Sequence, residues 1–118
     1  MTDFRRLSVW QKAHELTLAI YRLAAELPAL ERYELAAQMR RAASSIPMNL
    51  AEGSGRSTDR DYGRFVSNAI GSASELEYQL LLAGDLGYGS KQEIDRLKDR
   101  SIEVRRMLIS LRHTLTAP

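Results

Sequence analysis

The apolar residues of this chain recur at alternating intervals of three and four in four separate segments. The first segment shows this spacing most clearly, through Val9, Ala13, Leu16, Ile20, Leu23 and Leu27. Such spacing gathers side chains on one face of an α-helix, and no segment alternates polar and apolar residues as a half-buried strand does. The pattern therefore predicts four amphipathic helices, at about residues 8–27, 30–52, 58–86 and 91–115.

The residues that precede these segments carry helix-start signals. Ser8 with Gln11 and Ser90 with Glu93 have the spacing of a capping box, and Thr58 is a candidate N-cap. The connections between the predicted helices are short, which favours neighbouring helices that run in opposite directions. We therefore predict an all-α fold in a single domain, an antiparallel up-down-up-down four-helix bundle.

The second predicted helix contains an unusual segment, which reads R-R-A-A-S-S-I-P-M-N-L-A-E-G-S-G-R over residues 40–56. Pro47 has no N–H and its ring crowds the carbonyl of Ala43, so we predict a kinked second helix, bent there by more than about 20°. Asn49 is expected to bond the freed backbone or to reach another helix. Gly53 is expected to close the helix in a left-handed conformation.

Two of the helices carry more apolar or small residues than a single core-facing stripe needs. On the first helix a second line passes through Trp10, His14, Thr17, Tyr21 and Ala25. On the third helix a line of mostly small residues passes through Gly63, Ser67, Gly71, Ser74, Tyr78 and Leu81. A wide core stripe would also explain these lines, but two distinct patches favour self-association through unlike surfaces. The predicted subunit interface comprises Trp10, His14, Tyr21, Gly71, Ser74 and Tyr78.

The chain has 17 basic and 15 acidic residues, and the two kinds are unevenly distributed. In the predicted topology, residues 1–17, 40–70 and 103–118 share one end of the bundle and hold 11 basic and 6 acidic groups, a net charge of +5. The remainder holds 6 basic and 9 acidic groups, a net charge of −3. Such a basic end attracts phosphate backbones, although an ordinary solvated surface is the competing interpretation. The candidate nucleic-acid contacts are Arg40, Arg41, Arg56, Arg60, Arg64, Arg105 and Arg106.

Residue types that support catalysis or metal binding are sparse. Cysteine is absent, and the two histidines, His14 and His113, lack partners at metal-ligand spacing. Glu75 and Glu77 are two positions apart on a predicted helix, so their side chains point in different directions. No apolar run approaches the roughly 20 residues that span a bilayer, and no signal peptide is evident. We therefore expect a cytoplasmic, non-enzymatic protein that uses no cofactor or metal and does not enter a membrane.

Three stretches carry a resemblance to a known family. They read L-S-V-W-Q-K-A at residues 7–13, Y-E-L-A-A-Q-M-R-R-A-A-S-S-I-P-M-N-L-A-E-G-S-G-R at 33–56, and G-S-A-S-E-L-E-Y-Q-L-L-L-A-G-D-L-G-Y at 71–88. In these stretches the chain resembles the bacterial four-helix proteins that are encoded in intervening sequences of large-subunit ribosomal RNA genes. The fourth predicted helix contributes little to the resemblance.

The resemblance implies a four-helix bundle that assembles as a ring-like homopentamer. It also implies kinship with the accessory protein of diversity-generating retroelements, which binds nucleic acid through a basic surface and partners a reverse transcriptase. It supplies no catalytic residues. Two hypotheses follow. The first is a homo-oligomer that binds RNA or DNA, with a reverse transcriptase as a candidate protein partner. The second is a structural or protein-interaction module whose arginines are merely solvated.

Overall fold

A computed structural model describes residues 3–118 of the protein, and within this range the chain is helical and forms no strand. Its long helices are α1 (Ser8–Glu26), α2 (Leu35–Ser54), α3 (Asp59–Asp85) and α4 (Lys91–Thr116). The molecule measures 46 × 22 × 20 Å, as expected for helices packed side by side along their lengths. This architecture confirms the predicted all-α four-helix bundle.

The four helices form a square in cross-section. α1 packs against α2 and α4, and α3 packs against the same two helices, so α1 and α3 lie on a diagonal. The predicted apolar stripes face the centre of the square, where the largest fully buried side chains are Leu16, Ile20, Leu23, Met39, Ile46, Leu50, Val66, Leu76, Leu80, Leu97, Val104 and Leu108. Burial of each such side chain contributes roughly 1.5–3 kcal/mol, so these stripes hold the bundle together.

Side-chain caps form at the starts of α3 and α4, as the sequence predicts. The hydroxyl of Thr58 accepts a hydrogen bond from the backbone N–H of Asp61 at 3.1 Å. The hydroxyl of Ser90 accepts one from the backbone N–H of Glu93, also at 3.1 Å. Each bond satisfies one of the N–H groups that a helix start leaves without a partner.

The capping box predicted at Ser8 is wrong. Ser8 is the first residue of α1, and Leu7 before it makes no side-chain cap bond. Gln11 instead donates through Nε2 to the carbonyl of Arg5 at 2.9 Å, within a short 3-10 turn at Phe4–Arg6. The glutamine that a capping box would use is therefore engaged by the turn that precedes the helix.

α2 begins at Leu35, later than the sequence predicts. After Pro28 the chain first forms a separate 3-10 turn at Ala29–Glu31. The hydroxyl of Tyr88 donates to the carboxylate of Glu31 at 2.8 Å, and this bond raises the pKa of Tyr88. The connection between α1 and α2 is thus tied to the connection between α3 and α4.

α2 continues through Pro47, which leaves the carbonyl of Ala43 without its usual helical donor. The hydroxyl of Thr17 on α1 lies 3.1 Å from that carbonyl and 2.8 Å from the carbonyl of Ala13, and it donates to this pair. Thr17 is therefore a buried link between α1 and α2, not a member of the outer line on α1. The bend at Pro47 stays a prediction.

Asn49 bonds within α2 and does not reach the carbonyl that Pro47 frees. Its Nδ2 donates to the carbonyl of Ser45 at 2.8 Å and to the Ser45 hydroxyl at 3.0 Å. The Ser45 hydroxyl lies 2.8 Å from the hydroxyl of Ser72 on α3. We call this chain of hydrogen bonds, through Asn49, Ser45 and Ser72, the polar seam between α2 and α3.

The prediction that Gly53 closes α2 in a left-handed conformation is wrong. Gly53 lies inside the helix, and the left-handed glycines of the described chain are Gly87 and Gly89, which follow α3. A Cβ atom on Gly53 would lie 2.8 Å from the Cβ of Phe65 and 2.9 Å from Cδ1 of Tyr62. The glycine is therefore needed because α3 approaches α2 closely at this point.

Candidate functional site

Six arginines surround one end of the bundle, and we call this the basic end. They are Arg5 and Arg6 before α1, Arg56 between α2 and α3, Arg60 and Arg64 in the first turns of α3, and Arg112 near the end of α4. The up-down topology brings them together, because α1 and α3 begin at the same end at which α2 and α4 finish.

Three of these arginines already have partners. Arg5 pairs with Asp3 at 3.0 Å, and Arg64 pairs with Asp61 at 3.2 Å. The guanidinium of Arg56 pairs with Glu52 at 2.9 Å and lies 4.6 Å from the ring centroid of Phe65. All three ion pairs are exposed, and exposed pairs contribute only about 0–1 kcal/mol. A phosphate group can therefore compete with these carboxylates for the three guanidinium groups.

The other three arginines of the basic end form no ion pair within residues 3–118. Arg6 and Arg60 are exposed, and Arg112 donates only a long hydrogen bond to the Ser67 hydroxyl at 3.4 Å. Arg6 and Arg112 lie in the segments that the sequence assigns to the basic end, but they are not among the candidate contacts named from the sequence, because availability depends on which carboxylates lie near each arginine in the fold. These three are the cations most available to a phosphate.

The structure separates Arg40 and Arg41 from the basic end. Arg40 is five residues from the start of α2 at Leu35, and its guanidinium donates to the carbonyl of Arg32 at 3.3 Å. At 1.5 Å per residue it lies about 21 Å from the basic end. The assignment of residues 40–70 to one end is therefore wrong at its first members, because α2 begins later than predicted.

The two predicted contacts on α4 also lie away from the basic end. Arg105 forms an ion pair with Glu77 across the α3–α4 contact, and both side chains are only about one third exposed. Arg106 is exposed and has no ion-pair partner in the described chain, about 15 Å along α4 from the basic end. Arg105 is thus engaged in packing two helices together, whereas Arg106 extends the positive surface.

Dividing each helix at its midpoint gives the charge of the two halves. Residues 3–17, 45–71 and 104–118 form the half with the basic end and hold 9 basic and 5 acidic groups, a net charge of +4. Residues 18–44 and 72–103 hold 8 basic and 10 acidic groups, a net charge of −2. The structure keeps the predicted sign of each half and makes the contrast smaller.

The outer face of α1 and α2 carries an apolar groove of about 310 Å³, which we call the Trp10 groove. Its lining residues are Phe4, Trp10, His14, Thr17, Ser44, Pro47, Met48 and Ala51. The Phe4 and Trp10 rings meet edge to face at 5.1 Å, and His14 stacks on Trp10 at 5.0 Å. Met48 is 66% exposed. The sequence pattern misses Phe4 and Met48, because the groove exists only once the 3-10 turn has packed beside α2.

The predicted interface residues of α1 and α3 lie on two different outer faces. Tyr21 continues the α1 line and is exposed, while Gly71, Ser74 and Tyr78 are exposed on α3. A Cβ atom on Gly71 would meet nothing within 4 Å, so this stretch of α3 is open. Gly63, the first residue of the predicted line of small residues on α3, is not open in this way, because it is buried at the basic end.

The described residues offer little for catalysis. Within residues 3–118 no group of three or more His, Cys, Asp or Glu side chains has a geometry that would hold a metal ion. No helix in that range is long and apolar enough to cross a membrane. The hydroxyl of Tyr62 is buried without a hydrogen-bond partner there, and burial raises its pKa. Because Tyr62 packs against Gly53, we assign it to the fold.

Comparisons with known proteins agree with the fold. A crystal structure of a protein of unknown function from the S23 ribosomal protein family of Bacteroides thetaiotaomicron superimposes with a TM-score of 0.80 at 27% identity, covering 87% of this chain and 96% of that chain. No curated protein gives a significant match. Residues 5–110 match the family model described as 23S rRNA-intervening sequence protein. Since that match spans most of the chain, the protein belongs to the 23S rRNA-intervening sequence protein family.

Proposed function

We propose that this protein is a non-enzymatic, oligomeric binder of RNA or DNA that contacts the phosphate backbone through its basic end. The observation that carries the proposal is the group of three arginines, Arg6, Arg60 and Arg112, which form no ion pair in the described chain. Arg56 and Arg64 add two guanidinium groups in exposed pairs. Guanidinium groups match the geometry of phosphate oxygens, and they stay charged at any physiological pH.

Binding of this kind has a measurable signature. Each neutralised phosphate releases counterions, so the logarithm of the affinity falls with the logarithm of the salt concentration, by about 0.9 per contact on duplex DNA and about 0.7 on a single strand. The opposite half carries a net negative charge of −2, which orients the bundle with its basic end toward the nucleic acid. Self-association multiplies the positive field if the basic ends are gathered together.

Fluorescence anisotropy with single- and double-stranded RNA and DNA, at two salt concentrations, tests the proposal. The test variant carries Arg6→Gln, Arg60→Gln and Arg112→Gln. The matched control removes three arginines of the other half, which also form no ion pair in residues 3–118, through Arg22→Gln, Arg96→Gln and Arg100→Gln. We expect the salt slope to fall by about 2 to 3 in the test variant. Absence of wild-type binding at low salt, or equal losses in both variants, would contradict the proposal.

We also propose that the protein self-associates through its two outer faces, as a homopentamer in keeping with the family resemblance. The residues assigned to this contact are Trp10, His14, Tyr21, Gly71, Ser74 and Tyr78. The support is the exposed aromatic and apolar surface on both faces. Contact between apolar surface and water is unfavourable, so burying this surface against another copy would stabilise an oligomer. Light scattering should give a mass that is a multiple of 13.3 kDa. A monomer at micromolar concentration would refute self-association.

The second candidate function is a protein-interaction module without nucleic-acid binding, and the exposed apolar faces favour it. The resemblance supplies a reverse transcriptase as the partner to test. A pull-down performed with and without nuclease separates the two functions. Capture of a protein partner that survives nuclease, together with no anisotropy change at low salt, would favour the interaction module.

A further inference from the structure

The arginines of the basic end fall into two groups on different sides of the bundle. Arg5 and Arg6, which we call the α1 group, belong to the 3-10 turn that packs against α1 and α2. Arg60, Arg64 and Arg112, which we call the α3 group, lie on α3 or reach it from α4. Neighbouring helices are about 8–10 Å apart, so the axes of α1 and α3, which lie on a diagonal, are about 11–14 Å apart.

This separation suits the phosphates of a double helix. The two strands of a duplex border each of its grooves, and the grooves of B-DNA are about 6 and 12 Å wide. Two groups of arginines on opposite sides of the bundle can therefore contact one strand each. A duplex is stiff over about 150 base pairs, so both strands are in place before binding. A single strand must instead lose conformational freedom to pass both groups, and this lowers its affinity.

Single strands are commonly held in another way, by bases that stack on exposed aromatic side chains. The exposed aromatic side chains of residues 3–118 are Tyr21, Tyr33 and Tyr78. All three belong to residues 18–44 or 72–103, which form the half of the bundle away from the basic end. Bases of a strand that is bound at the basic end are thus far from these three rings.

The aromatic rings nearer the basic end are engaged inside the subunit. Phe65 lies under the guanidinium of Arg56 at 4.6 Å, and the hydroxyl of Tyr62 is buried. The rings of Phe4 and Trp10 meet edge to face at 5.1 Å, and Trp10 also stacks on the imidazole one turn along α1. A base must displace one of these contacts in order to stack, so the basic end offers mainly phosphate contacts.

Where phosphate contacts dominate, the charge density of the nucleic acid decides the affinity. A duplex carries one charge per ~1.7 Å of its axis, and a single strand carries half that density. Each contact adds about 0.9 to the salt slope on a duplex and about 0.7 on a single strand. Six arginines therefore give slopes that differ by about 1, which makes the duplex about tenfold tighter at ~0.1 M salt if the two affinities are equal at ~1 M.

We propose that the basic end binds a double helix in preference to a single strand, with the α1 group on one phosphate strand and the α3 group on the other. This inference rests on the proposed nucleic-acid binding and specifies its ligand. Both groups belong to one subunit, so the inference does not depend on self-association. Contacts with phosphates carry no sequence information, so the preference holds for any base sequence.

Direct titration tests the preference for a duplex. A duplex of mixed sequence and each of its separated strands are labelled, as RNA and as DNA, and titrated with the wild type. We expect the duplex to bind about tenfold more tightly than either strand at ~0.1 M salt. A separated strand that binds as tightly as the duplex would overturn the inference and leave the proposed function standing. No binding of any form at low salt would refute both.

Uncharged backbone linkages test the contact with two strands. Duplexes are made with methylphosphonate linkages in neither strand or in one strand. The wild type should place the larger α3 group on the charged strand, so we expect the salt slope to fall by about 2, the share of the α1 group. If one strand received all the contacts, the protein would use the charged strand and the slope would not change. That result would overturn the inference.

A variant without the α1 group completes this test. Arg5→Gln with Arg6→Gln should lower the slope by about 2 on the charged duplex and should change little on the duplex with one neutral strand. The matched control is Arg22→Gln with Arg96→Gln, two exposed arginines of the other half that form no ion pair in residues 3–118. Equal losses on the two duplexes would mean that the α1 group does not have a strand of its own, and would overturn the inference.

Intrinsic fluorescence tests base stacking, because Trp10 is the only tryptophan of the chain. We expect its emission to stay unchanged when the duplex or a single strand is added at saturating concentration. Quenching by the single strand would mean that a base stacks on Trp10 and would overturn the inference, because stacking would then supply the affinity that the phosphate contacts leave out.

Discussion

The two sides of α2 differ in how completely they are used by the subunit. On the side that faces α3, Ser45 and Asn49 belong to the polar seam, and Gly53 leaves no space for a Cβ atom. On the outward side, Met48 is 66% exposed and lines a groove that no residue of the described subunit fills. Residues 45–53 of α2 thus pack fully against α3 on one side and line an unfilled groove on the other.

This difference changes how the distinctive segment at residues 40–56 is interpreted. Its serine, asparagine and glycine residues at the α3 contact are explained by hydrogen bonding and close packing inside one subunit. Its outward residues have no such explanation within the subunit. The comparison teaches that a distinctive sequence segment can be explained by helix packing on one side of the helix and leave the residues on the other side without a role in the subunit.

Substitutions of two methionines of α2 should show the largest difference in stability between the buried side and the outward side of the helix. Met39 is fully buried, so Met39→Gln should lower the free energy of unfolding by about 2–5 kcal/mol, through lost packing and a buried amide. Met48→Gln should change it by no more than about 0.5 kcal/mol, because the side chain is largely exposed. Urea denaturation of the dissociated subunit measures both. A large loss in Met48→Gln would mean that the outward side also holds the subunit together.

The next comparison substitutes alanine for two glycines that lie inside helices, one at the α2–α3 contact and one on the exposed side of α3. Gly53→Ala should cost about 1–3 kcal/mol, because its Cβ would lie 2.8 Å from the Cβ of Phe65 and the helices must separate. Gly71→Ala should stabilise the dissociated subunit by about 0.5–1 kcal/mol, because alanine favours the helix and its Cβ meets nothing. Thermal unfolding of the two variants gives the comparison. Equal effects at both positions would contradict the assigned close approach of α2 and α3.

The hydrogen bond from Thr17 to the Ala43 carbonyl, beside Pro47, gives a smaller effect with a built-in control. Thr17→Val should cost about 1–2 kcal/mol, because it leaves the carbonyl of Ala43 buried without a donor. In a Pro47→Ala background the new N–H supplies that carbonyl, so the same Thr17→Val change should cost less. A double-mutant cycle measures this coupling. No coupling between the two positions would show that Thr17 does not compensate for the proline.

Most of the fold could be predicted from periodicity, since the 4-3 spacing of residues such as Leu16, Ile20 and Leu23 depends only on helix geometry. The caps at Thr58 and Ser90 could be predicted because their partners are three residues away. Gly53 could not be assigned correctly, because its role is set by Phe65 on another helix. Residue spacing within each segment therefore predicts the helices, whereas the contacts between helices are seen only in the structure.

The candidate site was less predictable for the same reason. Charge counted along the chain gave the sign of the basic end correctly, and the later start of α2 moved Arg40 to the other half of the bundle. Whether an arginine is available depends on side chains from other helices, as the pairing of Arg105 with Glu77 illustrates. The Trp10 groove combines a 3-10 turn with α1 and α2, and periodicity within one helix cannot reveal such a combination.

The smallest expected effect concerns Tyr62, which lies beside Gly53. Tyr62→Phe should change the free energy of unfolding by less than about 0.5 kcal/mol at neutral pH, because its hydroxyl makes no hydrogen bond in the described chain. Burial raises the folded-state pKa of Tyr62. The stability that the protonated Tyr62 hydroxyl contributes is therefore fully present below the pKa of about 10 that tyrosine has in the unfolded chain. That stability is lost as the pH rises through the higher pKa of Tyr62 in the folded protein. The wild type should thus lose more stability than Tyr62→Phe above pH ~10, and the same pH profile for both would contradict this.

The central claim is that the basic end contacts the phosphate backbone of nucleic acid through Arg6, Arg60 and Arg112. The most direct measurement is the salt dependence of RNA binding by the wild type and by the variant that carries Arg6→Gln, Arg60→Gln and Arg112→Gln, with the mass of each protein determined by light scattering in the same buffers. We predict the same mass and a shallower salt slope for the variant, because it neutralises fewer phosphates. A wild type that does not bind RNA at low salt, or a variant with the slope of the wild type, would contradict the claim.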